Sequence, residues 1–326
     1  MIRSFLSKIS KIGIPLLLGV LVFWLVYRNM DFNQIWHLIT HDVKIGWILF
    51  SIFFGFMSNV FRAHRWQMQL EAVGKKPGFL NTLFSIFSLY FMNAVLPRLG
   101  EFYRCRVLDK YEKIPFSTSL GTVVSERIFD FMTVFAFFAI GITIQWSDFH
   151  TFFVNNFQSS YLLDKIPGTW IVAGIVAMIL LIFLIRFIIK RRLSLQDQVK
   201  MVWANFHNGI SSILKLNNKP LFMADTFLIW GCYFFQFYVY MFAFDFTSDL
   251  TMMNGLTLYI MGSLGVIIPV PQGIGTWHFM IINTLVMFGI GGAEAAAFAL
   301  LVHATNTIMM IVLGFIAVLI LPLTNK

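Results

Sequence analysis

Asn93-Ala94-Val95-Leu96-Pro97-Arg98-Leu99-Gly100-Glu101 and Ile268-Pro269-Val270-Pro271-Gln272-Gly273-Ile274-Gly275 are two breaks of one kind. Each interrupts a long apolar stretch with proline, which removes a helical N–H, and with glycine, which frees the backbone. Broken backbone at membrane depth is tolerated only where protein covers it or where it lines a cavity. Two such breaks at matching places predict an inverted-repeat architecture, with the breaks converging near the bilayer midplane.

Composition places the breaks in a membrane. Of 326 residues, 58% are hydrophobic and 12% charged, well below the roughly 25% charge of a soluble domain. Apolar stretches near the ~20 residues that a bilayer requires run over 12–27, 43–61, 117–145, 168–189, 221–244 and 294–321. Arg3, Lys8 and Lys11 precede the first in the manner of a secretory leader. No small-residue cleavage site follows, which predicts an uncleaved span. Cys105 and Cys232 lack the spacing of a zinc site or a disulfide framework, and neither metal nor cofactor is expected.

Two apolar segments, 79–97 and 252–290, are ambiguous by length, and positive charge decides the first. Were 79–97 to cross fully, Arg98, Arg104, Arg106, Lys110 and Lys113 would lie outside and every later loop would invert. If it dips in and returns, all of the 24 lysines and arginines except Arg28, Lys44 and Lys165 fall on one side, as cytoplasmic loops require. Both termini are then cytoplasmic in a multi-pass cell-membrane protein, and Asp31, Asp42, Asp148, Asp164, Asp245 and Asp249 face outward. The second segment starts and ends outside, as a hairpin about Pro269 to Gly275. The expected fold is all-α, a single polytopic membrane bundle over 1–326. It comprises two inverted-topology repeats, 1–145 and 160–322, joined near 146–167, each with a re-entrant broken-helix hairpin.

Surface segments support the same symmetry. Phe32, Ile35, Trp36 and Ile39 recur at helical spacing outside, and Leu195, Val199, Val202, Trp203, Phe206, Ile210, Ile213 and Leu214 do so inside. Both predict amphipathic helices that lie in the interface or pack on the bundle.

Ionisable residues gather at span ends and hairpins. Arg62 and Arg65, with His64 and Trp66, end the second span; Arg98, Glu101 and Arg104 open the second limb of the first hairpin; Glu126, Arg127 and Asp130 follow in the next span. A charge facing lipid at the bilayer centre costs roughly 2.5–3.5 kcal/mol on insertion scales, so each must find a partner, a cavity or the interface. Arg62 and Arg65 also fit plain anchoring at a cytoplasmic span end, and the remainder a structural ion-pair network. The functional reading is that these arginines hold an anionic headgroup, whose phosphate suits a guanidinium fork, while Glu101 and Asp130 orient them.

Arg62-Ala63-His64-Arg65-Trp66, Leu96-Pro97-Arg98-Leu99-Gly100-Glu101 with Arg104, Ser125-Glu126-Arg127-Ile128-Phe129-Asp130, and Pro271-Gln272-Gly273-Ile274-Gly275 occur in that order. Together they resemble the lysylphosphatidylglycerol synthase transmembrane-region family, over essentially the whole chain. The resemblance implies a flippase-like domain that binds or moves lipids: aminoacylated phosphatidylglycerol in the founding branch, polyisoprenoid-linked glycans in others. It adds Gln272, Gly273, His278 and His303 to the candidate substrate-binding residues. The chain departs from the family at Gln272 and His278, where the second hairpin usually carries glycine and an acid, and at His303 with Asn306, where the last span commonly carries arginine. No counterpart of the founding branch's soluble transferase domain follows, so synthesis is not implied.

The expected function is therefore a lipid flippase that binds an anionic phospholipid or polyisoprenoid-linked headgroup between two hairpins. It is not an enzyme, and its partners are membrane lipids rather than nucleic acid. An ion-coupled small-molecule transporter and a lipid-binding accessory protein are the alternatives. His37 and Asp42 match an acyltransferase spacing but lack a phosphate-binding motif, and no glycine-rich phosphate loop or His-Glu-x-x-His motif occurs. His278 is read either as an imidazole hydrogen-bonded to neighbouring backbone in the hairpin or as a protonatable group in the outer half of the cavity.

Overall fold

The computed structural model describes residues 17–95, 99–157, 197–267 and 270–325. The expected span 168–189 and the break residues Leu96, Pro97, Arg98, Ile268 and Pro269 lie outside the described residues. Among the described residues every regular element is a helix: α1 (Leu17–Tyr27), α2 (Phe32–His41), α3 (Ile45–Ala72), α4 (Phe79–Val95), α5 (Gly100–Glu112), α6 (Phe116–Ile144) and α7 (Trp146–Phe157) precede the gap. After it come α8 (Asp197–Ile210), α9 (Lys219–Tyr240), the one-turn α10 (Asp245–Ser248), α11 (Met252–Ile267), α12 (Thr276–Met287) and α13 (Gly292–Thr324). By length and apolarity α3, α6, α9 and α13 can each cross a membrane, whereas α1, α4 and α11 are shorter apolar helices.

Local chemistry sets the ends of several helices. Asp31 caps α2 by accepting from the N–H groups of Asn33 (2.8 Å) and Gln34 (3.3 Å), which satisfies two of the four donors a helix start leaves free. Asn218 does the same for α9 through Leu221 N–H, with Pro220 in the first turn, where its missing N–H is harmless. The start of α12 is tighter. Gly275 has φ +84, and a Cβ there would sit 2.6 Å from the Phe23 backbone nitrogen of α1, so only glycine lets this turn lie against that helix.

Contacts at the two ends of the bundle define the hairpins. At one end Asn81 donates to Glu112 and to Asn325 Oδ1 (2.8 Å), so the start of α4 and the ends of α5 and α13 meet. At the other end Lys44 pairs with Asp245, and Thr257 donates to Asp148 Oδ2 at 3.4 Å, which joins the starts of α3 and α11 to α7 and α10. α4 and α5 pack together and both open to the first end; α11 and α12 pack together and both open to the second. The limbs of each pair thus open to one end of the bundle, and the two pairs open to opposite ends.

Two elements differ from the sequence reading. α3 does not stop at 61: it continues to Ala72, and Arg62 and Arg65 lie inside it and are buried, not at an exposed end. At 1.5 Å per residue Arg62 stands ~26 Å along the helix, close to the limit of a ~30 Å hydrocarbon layer. The stretch read as a junction, 146–167, holds α7 through Phe157. Its Phe149 and Phe152 are buried with Ile260, Met261 and Met280 of the second hairpin. The amphipathic segments form as α2 and α8. In α2, Ile35 packs inward while Phe32 and Trp36 stay exposed; α8 docks along α6 with Val202 and Trp203 exposed, and Leu195 lies outside the described residues. Each helix thus both packs on the bundle and presents apolar surface outward.

Candidate functional site

α3, α5 and α6 converge on one buried cluster of charge. Arg62 and Arg65 are three residues apart on α3 and so share a face, as do Glu126 and Asp130 four apart on α6. Arg65 Nη2 lies 2.6 Å from Asp130 Oδ1 and 3.5 Å from Glu126 Oε1, and its Nη1 donates to Thr226 Oγ1 of α9 at 3.2 Å. Arg104 reaches across from the first hairpin, with Nε 2.7 Å from Glu101 Oε2 and Nη2 2.9 Å from Glu126 Oε2. Its guanidinium also lies 4.4 Å from the Trp66 ring centroid, and Trp66 is itself held by donating Nε1–H to Thr122 Oγ1 at 2.9 Å. Arg127, the outermost member, contacts Glu126 Oε1 (3.0 Å) and Glu101 Oε1 (3.3 Å).

The pairing is dense and uneven. Four guanidiniums face three carboxylates among the described residues of the cluster, and Arg65, Arg104 and Glu126 are fully buried. Burial of charge is tolerated only with compensation, and Glu126 supplies most of it by meeting all four arginines. Arg62 is the member least well paired. Its Nε stands 3.7 Å from Glu126 and its Nη2 4.0 Å from Asp130, and among the described residues its one hydrogen bond is from Nη1 to Tyr90 Oη, at 2.7 Å. Its guanidinium lies 5.7 Å from the Tyr233 ring.

Tyr233 connects this cluster to a cavity of about 310 Å³ between α9, α11, α13 and the tip of the second hairpin. Gln236, Asn306, Gln272 and His303 line it, with Gln236 Nε2 donating to Asn306 Oδ1 at 3.0 Å. Gln272 stands at the break with φ +54, and its carbonyl accepts from His303 Nε2 at 2.9 Å, which ties the hairpin tip to α13. His278 lies just behind. Its Nδ1 accepts the Gly275 N–H at 3.3 Å and its ring packs among Phe23, Tyr27 and Trp277, 4.6 Å from the His303 ring.

The expected site residues thus form two groups. Arg62, Arg65, Glu101, Arg104, Glu126, Arg127 and Asp130 are together at the first hairpin, and Gln272, Gly273, His278 and His303 at the second. Arg98 lies outside the described residues. Arg104 is not among the residues that line the cavity beside Tyr233; it is enclosed by Glu101, Glu126 and Trp66. Arg106 is exposed and pairs with Asp109. Sequence reasoning missed Tyr90, Thr226, Tyr233 and Gln236, neutral residues whose roles depend on which helix faces which. It also missed Asp225, whose Oδ2 is 2.7 Å from His64 Nδ1. That residue carried a legible signal, an acid inside an apolar span.

Comparison with known proteins bears on the whole chain. The family model of the lysylphosphatidylglycerol synthase TM region matches residues 12–314. The chain belongs to this family. Two UPF0104 membrane proteins of Methanocaldococcus jannaschii are similar to it. One is 23% identical, with 96% of each chain covered, and the other 25% identical, covering 69% of this chain and 92% of the relative. No solved structure matches. All four sequence motifs fall within the matched residues, so the clustered charges and the second hairpin belong to the family's membrane region.

Proposed function

We propose that this protein holds the phosphate of an anionic membrane lipid at Arg62 and Arg127 and carries the lipid between leaflets. The observation that carries this reading is the incomplete pairing of Arg62: a buried guanidinium, too far from both carboxylates for strong bonds, beside a polar cavity. A phosphate oxygen there would complete its fork and offset the fourth positive charge of the cluster. Arg127, partly exposed, is the second member an incoming phosphate would meet. Each carboxylate of the cluster is engaged by arginine, so none is free to act as a general base. That supports a carrier rather than an enzyme. Hairpins that open to opposite ends support alternating access, with residues 1–145 and 160–322 moving as inverted repeats about the lipid.

Reconstitution in liposomes tests this reading. Fluorescent phosphatidylglycerol in the inner leaflet should become reducible by external dithionite when the protein is present. Arg62→Gln should slow that movement about tenfold or more, the worth of a charge-assisted hydrogen bond, while Arg106→Gln leaves it near the parent rate. If protein-containing and empty liposomes lose fluorescence to the same extent while the lipid still binds, the protein binds lipid without moving it and the transport reading falls.

A further inference from the structure

We infer that the cavity beside Tyr233 is a headgroup subsite that selects an uncharged, hydroxyl-rich group, glycerol or a single sugar, over a cationic aminoacyl one. The inference rests on the phosphate reading of Arg62 and extends it to the chemistry attached to that phosphate.

Three observations carry it. Charge is the first. Among the described residues lining the cavity there is no aspartate, glutamate, lysine or arginine, and the lone titratable nitrogen base, His303, is already bonded to the Gln272 carbonyl. An ammonium group enclosed there would have no counter-ion, and an unpaired buried charge is costly.

The second observation is the donor and acceptor set. Gln236 and Asn306 each present an amide, and Ser263 and Thr307 each a hydroxyl. Amides and hydroxyls both donate and accept, as hydroxyl groups of a ligand require. Aromatic rings of Tyr233, Tyr240, Tyr259 and Trp277 line the same space and offer apolar area to carbon-bound hydrogens. A pocket that is polar without being charged, with aromatic walls, suits a polyol.

Size and position supply the third. About 310 Å³ lies at the small end of the roughly 300–1,000 Å³ of small-molecule sites, which admits one headgroup and no long chain. Tyr233 belongs to both places: it lines the cavity and stands 5.7 Å from the Arg62 guanidinium. A phosphate at Arg62 would therefore present its headgroup directly to the amides.

Binding of phosphatidylglycerol, phosphatidic acid and lysyl-phosphatidylglycerol to the purified protein in mixed micelles separates the two layers of this reading. The parent should prefer phosphatidylglycerol to the lysyl form by about tenfold, a 1.4 kcal/mol difference. Asn306→Leu, and independently Ser263→Val, should erase the preference of phosphatidylglycerol over phosphatidic acid while phosphatidic acid still binds. Arg62→Gln should weaken all three lipids together. Unchanged binding in Arg62→Gln would overturn the phosphate reading. A parent that favours the lysyl form, or a preference intact in both cavity variants, would overturn the headgroup subsite alone. Free glycerol phosphate that displaces the lipid at equal concentration would show a solute site instead, which also overturns it.

Discussion

Arg104 is held by two carboxylates and an indole, with none of its side chain exposed. Removing one member of such a group leaves the others charged and unpaired, which costs ~3–5 kcal/mol, whereas removing both partners costs far less. Arg104→Met is therefore expected to lower the thermal unfolding midpoint in detergent strongly. The double variant Arg104→Met/Glu126→Gln should lose clearly less than the sum of the two single changes. Strict additivity in that cycle would mean that the 2.9 Å contact between them contributes nothing. At the turn of the first hairpin, Asn93 Oδ1 accepts the Gly100 N–H at 2.8 Å. Asn93→Ala should destabilise by ~1 kcal/mol, the loss of a cap-like bond, visible as a small midpoint shift with the cluster intact.

Helix packing joins the surface helix to the charged site. A Cβ at Gly121 of α6 would run into the Phe206 carbonyl oxygen of α8, and one at Gly209 into the Thr118 carbonyl oxygen, so the two backbones touch where both residues are glycine. That approach brings Ser125 Oγ to 3.2 Å from Ser212 Oγ, one residue from Glu126. Cysteines placed at 125 and 212 should cross-link readily on oxidation. Adding Gly121→Leu should abolish the cross-link by lifting α8, because the obstructing atoms are backbone and cannot swing aside. A cross-link that survives Gly121→Leu would show that α8 is held by something other than this contact.

Across the whole molecule the two hairpins open to opposite ends, and the charged loops sort with them. Lys75, Lys76, Lys110, Lys113, Lys215 and Lys219 lie at the end where Asn81, Glu112 and Asn325 meet, and Arg28 and Lys44 at the other. Single cysteines at Lys110 and Ser147, both exposed, should then react with a membrane-impermeant maleimide from opposite faces, Ser147→Cys from outside in intact cells and Lys110→Cys only after the membrane is opened. Native Cys105 and Cys232 are buried and should stay silent. Labelling of both positions from outside would contradict the re-entrant path of the first hairpin.

Much of this architecture was legible in the residues alone. The backbone cannot leave its polar groups unpaired in lipid, so apolar length, proline-glycine breaks and the side on which lysine and arginine collect leave few ways to thread the chain. Glu126 and Asp130 could be placed on one face by helical spacing, and their arginine partners anticipated because buried charge demands compensation. What spacing could not supply is which helices face one another. α3 carries Arg62 and Arg65 past its expected end because protein, not lipid, surrounds its last turns, a circumstance created by α4, α6 and α9. Phe149 and Phe152 turn an apparent junction into a helix because the second hairpin offers them a core. The partial pairing of Arg62, and the neutral cavity that Tyr233 joins to it, follow from distances across helices far apart in the chain. Such distances are settled only when the bundle packs, since side-chain contacts between helices carry no periodic trace in either sequence.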